Sequence, residues 1–346
     1  MVEHHRIFRN AELWSGRIAD HIDVDFLGAR EDKQFFLPEW RDAERDFSKT
    51  HHQWANLPEF SEEYFEWIDL LAAVKTAKDR FVMMELGAGY GRWLMRAAAA
   101  IKRYNPIPFL LIGVEGEPIH VEWMKLNFRN NGLNSDAHRV VHAAIGESSG
   151  TAYFPVGDPH GWGQFILDSD KPGPQKSGHS GIAYDEPFLA QLSPVRLVTI
   201  EEAAAGEQLI DFIDMDIQGA EAAVMAQAID FCSNRVRIIH IGTHSRLLED
   251  RVRDIFRKAG WLPRFDLPNI SNTPTEYGTL AFYDGVQSWA NPRFADRLVA
   301  ADLMDSSTLG RHNPIGRPLT PTFAIRSALP KKLRALFYNV ANLRSR

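Results

Sequence analysis

The sequence predicts an α/β protein built on a Rossmann-like, doubly wound and mostly parallel sheet. Short apolar runs alternate along the chain with segments of helical periodicity, which is the pattern of βαβ units. The runs are apolar at consecutive positions, as expected for strands whose two faces are both covered by helices. A glycine-rich turn follows the first run and leads directly into a helical segment.

Strands and helices can be placed in order from these runs. Strands are predicted at 81–86, 109–115, 138–142, 150–156, 195–200, 209–216, 236–241 and 278–283. Helices are predicted at 61–77, 90–104, 119–130, 220–231 and 246–259. The connection 157–181 is dense in Gly, Pro, Ser and His. It is long enough to form either a mobile lid or an unstructured insertion.

Three regions follow from this layout. Residues 1–77 are expected to form a helical N-terminal extension rich in aromatic side chains, and residues 78–290 the sheet domain. Residues 291–346 form a Pro- and Gly-rich extension that ends in a basic amphipathic helix around 329–340. That helix would pack on the domain or on a second copy of the chain. The alternative is weak, reversible contact with an anionic membrane surface.

The composition excludes several classes. The 346-residue chain has a net charge of −6, which argues against general nucleic-acid binding. Because Cys232 is the one cysteine, no internal disulfide can form, and we expect its thiol to be buried. No run approaches the roughly 20 apolar residues of a membrane span, so a cytoplasmic protein is expected.

The first candidate site is the glycine turn. An acid, Glu85, stands two residues before a Gly-x-Gly-x-Gly turn that contains Gly87, Ala88, Gly89 and Gly91. Glycines let the backbone turn sharply and let a ligand approach the main chain. Backbone N–H groups at the start of a helix can bind a carboxylate, and Glu85 can hold a cationic group. This spacing suits the amino-acid end of S-adenosylmethionine better than the pyrophosphate of a dinucleotide.

A second acid, Glu115, closes the next predicted strand. An acid there can accept hydrogen bonds from both hydroxyls of a ribose. Glu117 is expected instead to cap the helix that begins with Pro118. A nicotinamide dinucleotide would require the same acid, so Glu115 alone does not separate the two cofactors.

A pair of aspartates marks the end of a later strand. Asp214 and Asp216 are two residues apart, and Gly219 then opens a helix. Ligands of open α/β sheets bind at the carboxyl ends of strands, where these acids should lie.

Together these motifs make the sequence resemble the FkbM-type methyltransferases over roughly residues 80–285. The glycine turn, the acid at 115 and the run Asp-x-Asp-x-x-Gly-Ala-Glu over 214–221 occur in that family's order. So do the stretches 142–146 and 198–202, the latter read as a strand. The resemblance implies S-adenosylmethionine as donor and, usually, O-methylation of sugars or natural products. It also implies cofactor contacts at Ala143, Ala144 and Asp214.

The chain departs from the family pattern at three positions. Glu85 replaces an Asp, Gln218 replaces a Glu, and Gly242 stands where the family usually has a Glu two residues before His244. Two carboxylates are thus missing near the expected acceptor. No metal is therefore predicted, with Mg²⁺ on Asp214 and Asp216 as the alternative.

Methyl transfer to a hydroxyl requires alignment of donor and acceptor and removal of a proton. Asp216 and His244 are the candidate bases, and His240 is expected to be a hydrogen-bonded core residue. The partner would be a small-molecule or sugar-like acceptor. Alternatives are an NAD-dependent oxidoreductase, a glycosyltransferase that uses the Asp-x-Asp pair, and a catalytically silent binding module.

Overall fold

The structure is a computed structural model that describes residues 2–40, 48–167, 192–295, 298 and 317–318. Its centre is a seven-stranded sheet whose strands follow one another as 3-2-1-4-5-7-6 when numbered by their order in the chain. The seventh strand in chain order lies between the fifth and the sixth and runs antiparallel to both. In chain order these strands are β5 (Phe81–Leu86), β6 (Phe109–Glu115), β7 (Arg139–His142), β11 (Ile210–Met215), β12 (Val236–Thr243), β13 (Leu262–Leu267) and β16 (Gly285–Ala290). The Rossmann-like, mostly parallel sheet predicted from the sequence is confirmed.

Helices cover both faces of this sheet. On one face lie α1 (Glu62–Thr76), α2 (Arg92–Tyr104) and α3 (Pro118–Asn130), and on the other α4 (Ile200–Ala204), α5 (Glu221–Arg235) and α6 (Arg246–Lys258). Each strand therefore buries alternate residues on opposite sides. In β5, Met83 belongs to the first core and Met84 to the second.

The N-terminal extension is only partly helical, which corrects the expectation for residues 1–77. Before α1 the chain forms the short strands β1 (Ser15–Ala19), β2 (Ile22–Val24), β3 (Arg30–Asp32) and β4 (Thr50–Trp54). β1 pairs with β4 and β2 with β3, each antiparallel. α1 itself is buried along most of its length and packs on β11, β12 and β16.

Two other predicted strands are present, but one ends earlier than expected and the other lies outside the main sheet. The stretch predicted as a strand at 195–200 is β10 (Leu192–Val198), which pairs with β8 (Ala144–Ile145) and β9 (Gly150–Pro155). The chain then turns into α4 because Thr199 forms a capping box with Glu202. Residues 198–202 are therefore a strand end and a helix start.

The strand predicted at 278–283 is β15 (Gly278–Phe282), which pairs with β14 (Ser271–Thr275) outside the main sheet. β14 also pairs with β17 (Arg317–Pro318). The last strand of the main sheet is β16, which the sequence did not predict. It is antiparallel, so it begins at the edge where the parallel strands end.

The remaining sequence expectations fall partly outside the described residues. The basic helix near 329–340 and residues 168–181 of the connection lie there. Across the described ranges, no helix is both long and apolar enough to cross a membrane. Cys232 is buried inside α5, as predicted.

Candidate active site

Carboxylates and imidazoles gather at one edge of the central sheet. Glu85, Glu115 and Asp214 lie at or near the carboxyl ends of three parallel strands, and His244 follows a fourth. Because β16 runs the other way, Asp284 precedes it at this same edge. Two cavities open here, separated by Gly87, Gly89, Trp162 and Asp216, which line both.

The glycine turn needs its glycines for two structural reasons. Gly87 has φ +77°, and a Cβ there would collide with the carbonyl oxygen of Asp216. Gly89 has φ +52°, and a Cβ there would lie 3.0 Å from the ring of Trp162. The turn therefore passes directly beneath the Asp-x-Asp strand end and beneath an aromatic side chain.

Glu85 points into the start of α2. Its carboxylate accepts hydrogen bonds from the backbone N–H groups of Trp93 (3.3 Å) and Leu94 (3.1 Å). Burial raises the pKa of Glu85 well above its usual value, and the charge of Asp214 adds to the shift. Glu85 thus caps the helix that follows the turn and also borders the second cavity.

Glu115 fixes the turn from the neighbouring strand. One carboxylate oxygen accepts from the N–H of Gly89 and the other from the N–H of Glu117, each at 2.7 Å. The first cavity opens beside Glu115, and Ala143 and Ala144 form part of its wall. Glu117 caps α3 through the N–H of Ile119, as predicted.

A segment after β9 closes this first cavity. Trp162 stacks on His120, with ring centroids 4.5 Å apart, and contacts Tyr90 edge to face. His160 Nε2 lies 2.8 Å from the carbonyl oxygen of Gln34 and donates to it. The described part of the predicted lid, residues 157–167, is therefore held against α3 and the N-terminal extension.

His120 joins this segment to the acid of the first cavity. Its Nε2 donates to the carbonyl oxygen of Pro159 at 2.8 Å, and its Nδ1 lies 3.7 Å from Glu115. Burial alone would lower the pKa of His120. The nearby carboxylate of Glu115, the hydrogen bond to the Pro159 carbonyl and the charge of Glu117 outweigh that effect and raise the pKa.

This contact predicts a pH dependence. A histidine whose folded pKa is raised stabilises the fold fully below its unfolded pKa of about 6.5, and loses that contribution as pH rises through the folded value. His120→Gln should therefore lower the free energy of unfolding by about 1–2 kcal/mol at pH 6 and by less at pH 9. Urea unfolding of both proteins at the two pH values measures this difference. A difference that grows with pH would contradict the assignment.

Asp214 is paired with an acid from the N-terminal extension. Its carboxyl group interacts with that of Glu66 of α1, and each influences the pKa of the other. Burial raises the pKa of both groups. The neighbouring strand residue His240 is held by Asp69, at 2.8 Å from Nδ1, and Asp69 is also bound by Arg264. His240 is thus a hydrogen-bonded buried residue, as predicted.

Asp216 and His244, the two candidate bases, lie in direct contact. His244 Nε2 lies 3.1 Å from Asp216 Oδ1, and Nδ1 lies 3.1 Å from Glu221. Burial by itself lowers the pKa of His244, but the carboxylates of Glu221 and Asp216 more than reverse this and raise it well above its usual value. The side chain of Asp216 is 53% exposed and faces the cavities, whereas that of His244 is 5% exposed.

The second cavity is strongly acidic. Besides Asp214 and Asp216 it is lined by Glu62, Glu66 and Asp284. Glu62 accepts hydrogen bonds from the N–H groups of Tyr283 and Asp284, and burial raises its pKa to about 7. Burial likewise raises the pKa of Asp284 to about 6.

Two of the three departures from the family pattern, at Gln218 and Gly242, affect the surroundings of Asp216. Gln218 donates from Nε2 to Asp216 at 2.9 Å, a hydrogen bond that an ionised Glu could not make. A Cβ at Gly242 would lie 3.6 Å from the nearest atom of Asp216, so the missing side chain leaves room beside that carboxylate.

Sequence reasoning missed three residues of this site. Asp284 was missed because β16 was not predicted, and Glu66 because its helix was assigned only to packing. Trp162 stands in a connection with no periodic pattern. The available signal for Glu66 was an acid between two aromatic residues, Phe65 and Trp67, of α1.

The strand order and the glycine turn define a class I methyltransferase fold. The sequence profile described as the methyltransferase FkbM domain matches residues 85–262, just over half of the chain. A protein of Jannaschia sp. (strain CCS1), named provisionally as a methyltransferase, is 29% identical over 230 residues. That alignment covers 66% of this chain and 78% of the relative. The chain belongs to the FkbM methyltransferase domain family.

Solved structures with similarity include methyltransferase FkbM from Methylobacillus flagellatus KT. It is 16% identical with a TM-score of 0.37, over 66% of this chain and half of that one. The N-terminal domain of human METTL16 in complex with SAH is 13% identical with a TM-score of 0.33, over 78% and 88% of the two chains. At these values neither likeness carries information about the substrate.

Proposed function

We propose that the protein transfers the methyl group of S-adenosylmethionine to a hydroxyl oxygen of a sugar or natural-product acceptor. The observation that carries the proposal is the contact between the two cavities. The first is bordered by the glycine turn and Glu115, the second by Asp216, and they share a wall. A sulfonium at that wall would face an acceptor on the other side, as in-line transfer requires.

The first cavity has the groups that S-adenosylmethionine needs. Glu115 can exchange its bonds within the turn for the two ribose hydroxyls, and the N–H groups of the turn can bind the methionine carboxylate. Ala143 and Ala144 offer an apolar surface to the adenine. The acids Asp214 and Glu85, beside the turn, are placed to balance the ammonium and sulfonium charges.

The second cavity supports a neutral or cationic acceptor rather than a nucleic acid. Its carboxylates would repel a phosphate backbone, in agreement with the net charge of −6. In the reaction the acceptor oxygen forms a bond to the methyl carbon, and the sulfur keeps the electron pair of the broken S–CH₃ bond. The hydroxyl proton passes to the Asp216–His244 pair, which faces this cavity.

The experiment is transfer of isotope-labelled methyl from S-adenosylmethionine to a panel of sugar and polyketide hydroxyls, with the product located by mass spectrometry. We expect an O-methyl product. Label on nitrogen or RNA, or S-adenosylmethionine binding without transfer to any acceptor, would contradict the proposal. The last result would favour a silent binding module.

A variant at Gly242 tests the assignment of the second cavity. Gly242→Phe would fill the room beside Asp216, and the atoms nearest to the added Cβ belong to Asp216 and Met215 rather than to the glycine turn. We expect kcat/KM for the acceptor to fall by at least about tenfold, as for a steric change of 1–3 kcal/mol, with little change in the Kd of S-adenosylmethionine. Gly150→Ala, at the exposed start of β9 where a Cβ meets nothing within 4 Å, is the control. Equal acceptor kinetics in Gly242→Phe and the wild type would place the acceptor elsewhere.

A further inference from the structure

Asp216, Glu221 and His244 form a cluster beside the second cavity; Asp216 lines its wall, whereas the side chains of Glu221 and His244 are buried. Each offers one ligand atom, and these atoms all lie within 4.8 Å of one another. Within the described part of the chain, this is the group whose residue types and spacing suit a metal ion. It differs from the Asp214–Asp216 pair considered from the sequence, because Asp214 is not a member of this group.

The imidazole of His244 is the unusual member. Its ring is 5% exposed, and each nitrogen lies 3.1 Å from a carboxylate oxygen. Yet neither nitrogen makes a hydrogen bond of acceptable geometry. A buried polar atom without a hydrogen bond is costly, so a partner for it would stabilise this arrangement.

We propose that this cluster binds one divalent first-row transition ion, such as Mn²⁺ or Zn²⁺. Ligands around an ion with bonds of about 2.1 Å stand about 3.0–4.2 Å apart. His244 Nε2 and Asp216, at 3.1 Å, already have this spacing, whereas Glu221 faces Nδ1 and would turn toward the ion on binding. A mixed imidazole and carboxylate set suits these ions, whereas Mg²⁺ and Ca²⁺ prefer oxygen ligands alone.

Neighbouring groups hold the carboxylate ligands in place. The carboxylate of Glu221 accepts hydrogen bonds from the N–H groups of Ile217 and Gly219. The amide of Gln218 donates to Asp216. Such outer contacts orient ligands in metal sites. Asp284 Oδ1, 3.9 Å from His244 Nε2, faces the same opening.

The role of the ion rests on the proposed function, although its binding does not. An acceptor hydroxyl that joins the ion as a ligand has a lowered pKa. With the ion bound, the hydroxyl proton would leave to Asp284 or to solvent rather than to Asp216 or His244, because both of these side chains would then be ligands of the ion. The oxygen attacks the methyl carbon, and the S–CH₃ bond breaks with its electron pair on sulfur.

The test is titration of chelator-treated full-length protein with Mn²⁺, followed by electron paramagnetic resonance without cofactor or acceptor. We expect one ion per chain with a Kd of about 0.1 mM or tighter, displaced by Zn²⁺. Electron spin echoes should show a directly bound ¹⁴N, which His244→Gln removes. Asp216→Asn, at a half-exposed position, should weaken binding at least about tenfold.

Asp214→Asn is the matched control, because it removes the neighbouring acid of the Asp-x-Asp pair and should leave Mn²⁺ affinity unchanged. No binding to the wild type, bound Mn²⁺ without ¹⁴N coupling, or equal losses in Asp214→Asn and Asp216→Asn would each overturn the proposal. Calorimetry with S-adenosylmethionine in the presence of EDTA is run in parallel. If S-adenosylmethionine does not bind but Mn²⁺ does, the proposed function is wrong and the proposed ion site is still supported.

Discussion

Asp216→Asn is expected to lower kcat for methyl transfer by about 10²- to 10⁴-fold, the usual contribution of a positioned proton-transfer group. The amide keeps the size of the side chain but can neither take a proton nor balance the charge of His244, 3.1 Å away. The Kd of S-adenosylmethionine should change little, since none of the hydrogen bonds that hold the glycine turn involves this side chain. Single-turnover transfer from labelled cofactor measures the loss.

The matched control is Asp250→Asn. Asp250 lies on α6 with its side chain 75% exposed, and its ion pair with Arg253 is a surface contact. This variant should transfer methyl at the wild-type rate. If Asp216→Asn does so as well, the acceptor proton leaves by another route and the assignment of Asp216 is wrong.

Glu115→Ala is expected to weaken S-adenosylmethionine binding by about 1–3 kcal/mol, or roughly 5- to 150-fold in Kd. The carboxylate is the candidate acceptor for the ribose hydroxyls, and it also accepts a hydrogen bond from the N–H of Gly89 at 2.7 Å. Its loss therefore removes a ligand group and loosens the turn that shapes the cavity. Calorimetric titration measures the change, and circular dichroism checks that the fold survives.

Glu122→Ala provides the comparison for that measurement. Glu122 lies on α3, close in sequence, but its side chain is 69% exposed and pairs only with Lys125 at the surface. Its variant should bind the cofactor as the wild type does. An unchanged Kd in Glu115→Ala would mean that the ribose does not sit beside this strand.

The sheet and the positions of its acids could be predicted because both depend on local patterns. Strands buried on two faces must be continuously apolar, and a glycine turn such as Gly87–Gly91 leaves a recognisable spacing. Parallel strands end at the same edge of a sheet, so the positions of Glu115 and Asp214 at that edge could be predicted. Asp216 and His244, the two candidate bases, lie at this edge for the same reason, but their contact was not predicted.

The parts that were missed depend on contacts between distant segments. Glu66 reaches Asp214 from a helix almost 150 residues earlier, and no local pattern encodes that meeting. Asp284 joins the site only because β16 enters the sheet antiparallel. The strand prediction at 198–202 was wrong beyond Val198 because it relied on the β-branched residues. The Thr199 and Glu202 capping box, which starts a helix there, was present in the sequence but was not used.

Isothermal titration calorimetry with S-adenosylmethionine, S-adenosylhomocysteine and NAD tests the central claim most directly. The account predicts one-site binding of both sulfur compounds, no detectable binding of NAD, and a raised melting temperature with each compound that binds. The glycine turn, with Glu85 before it and Glu115 beside it, is the physical basis for this selectivity. Binding of NAD with no binding of either sulfur compound would contradict it.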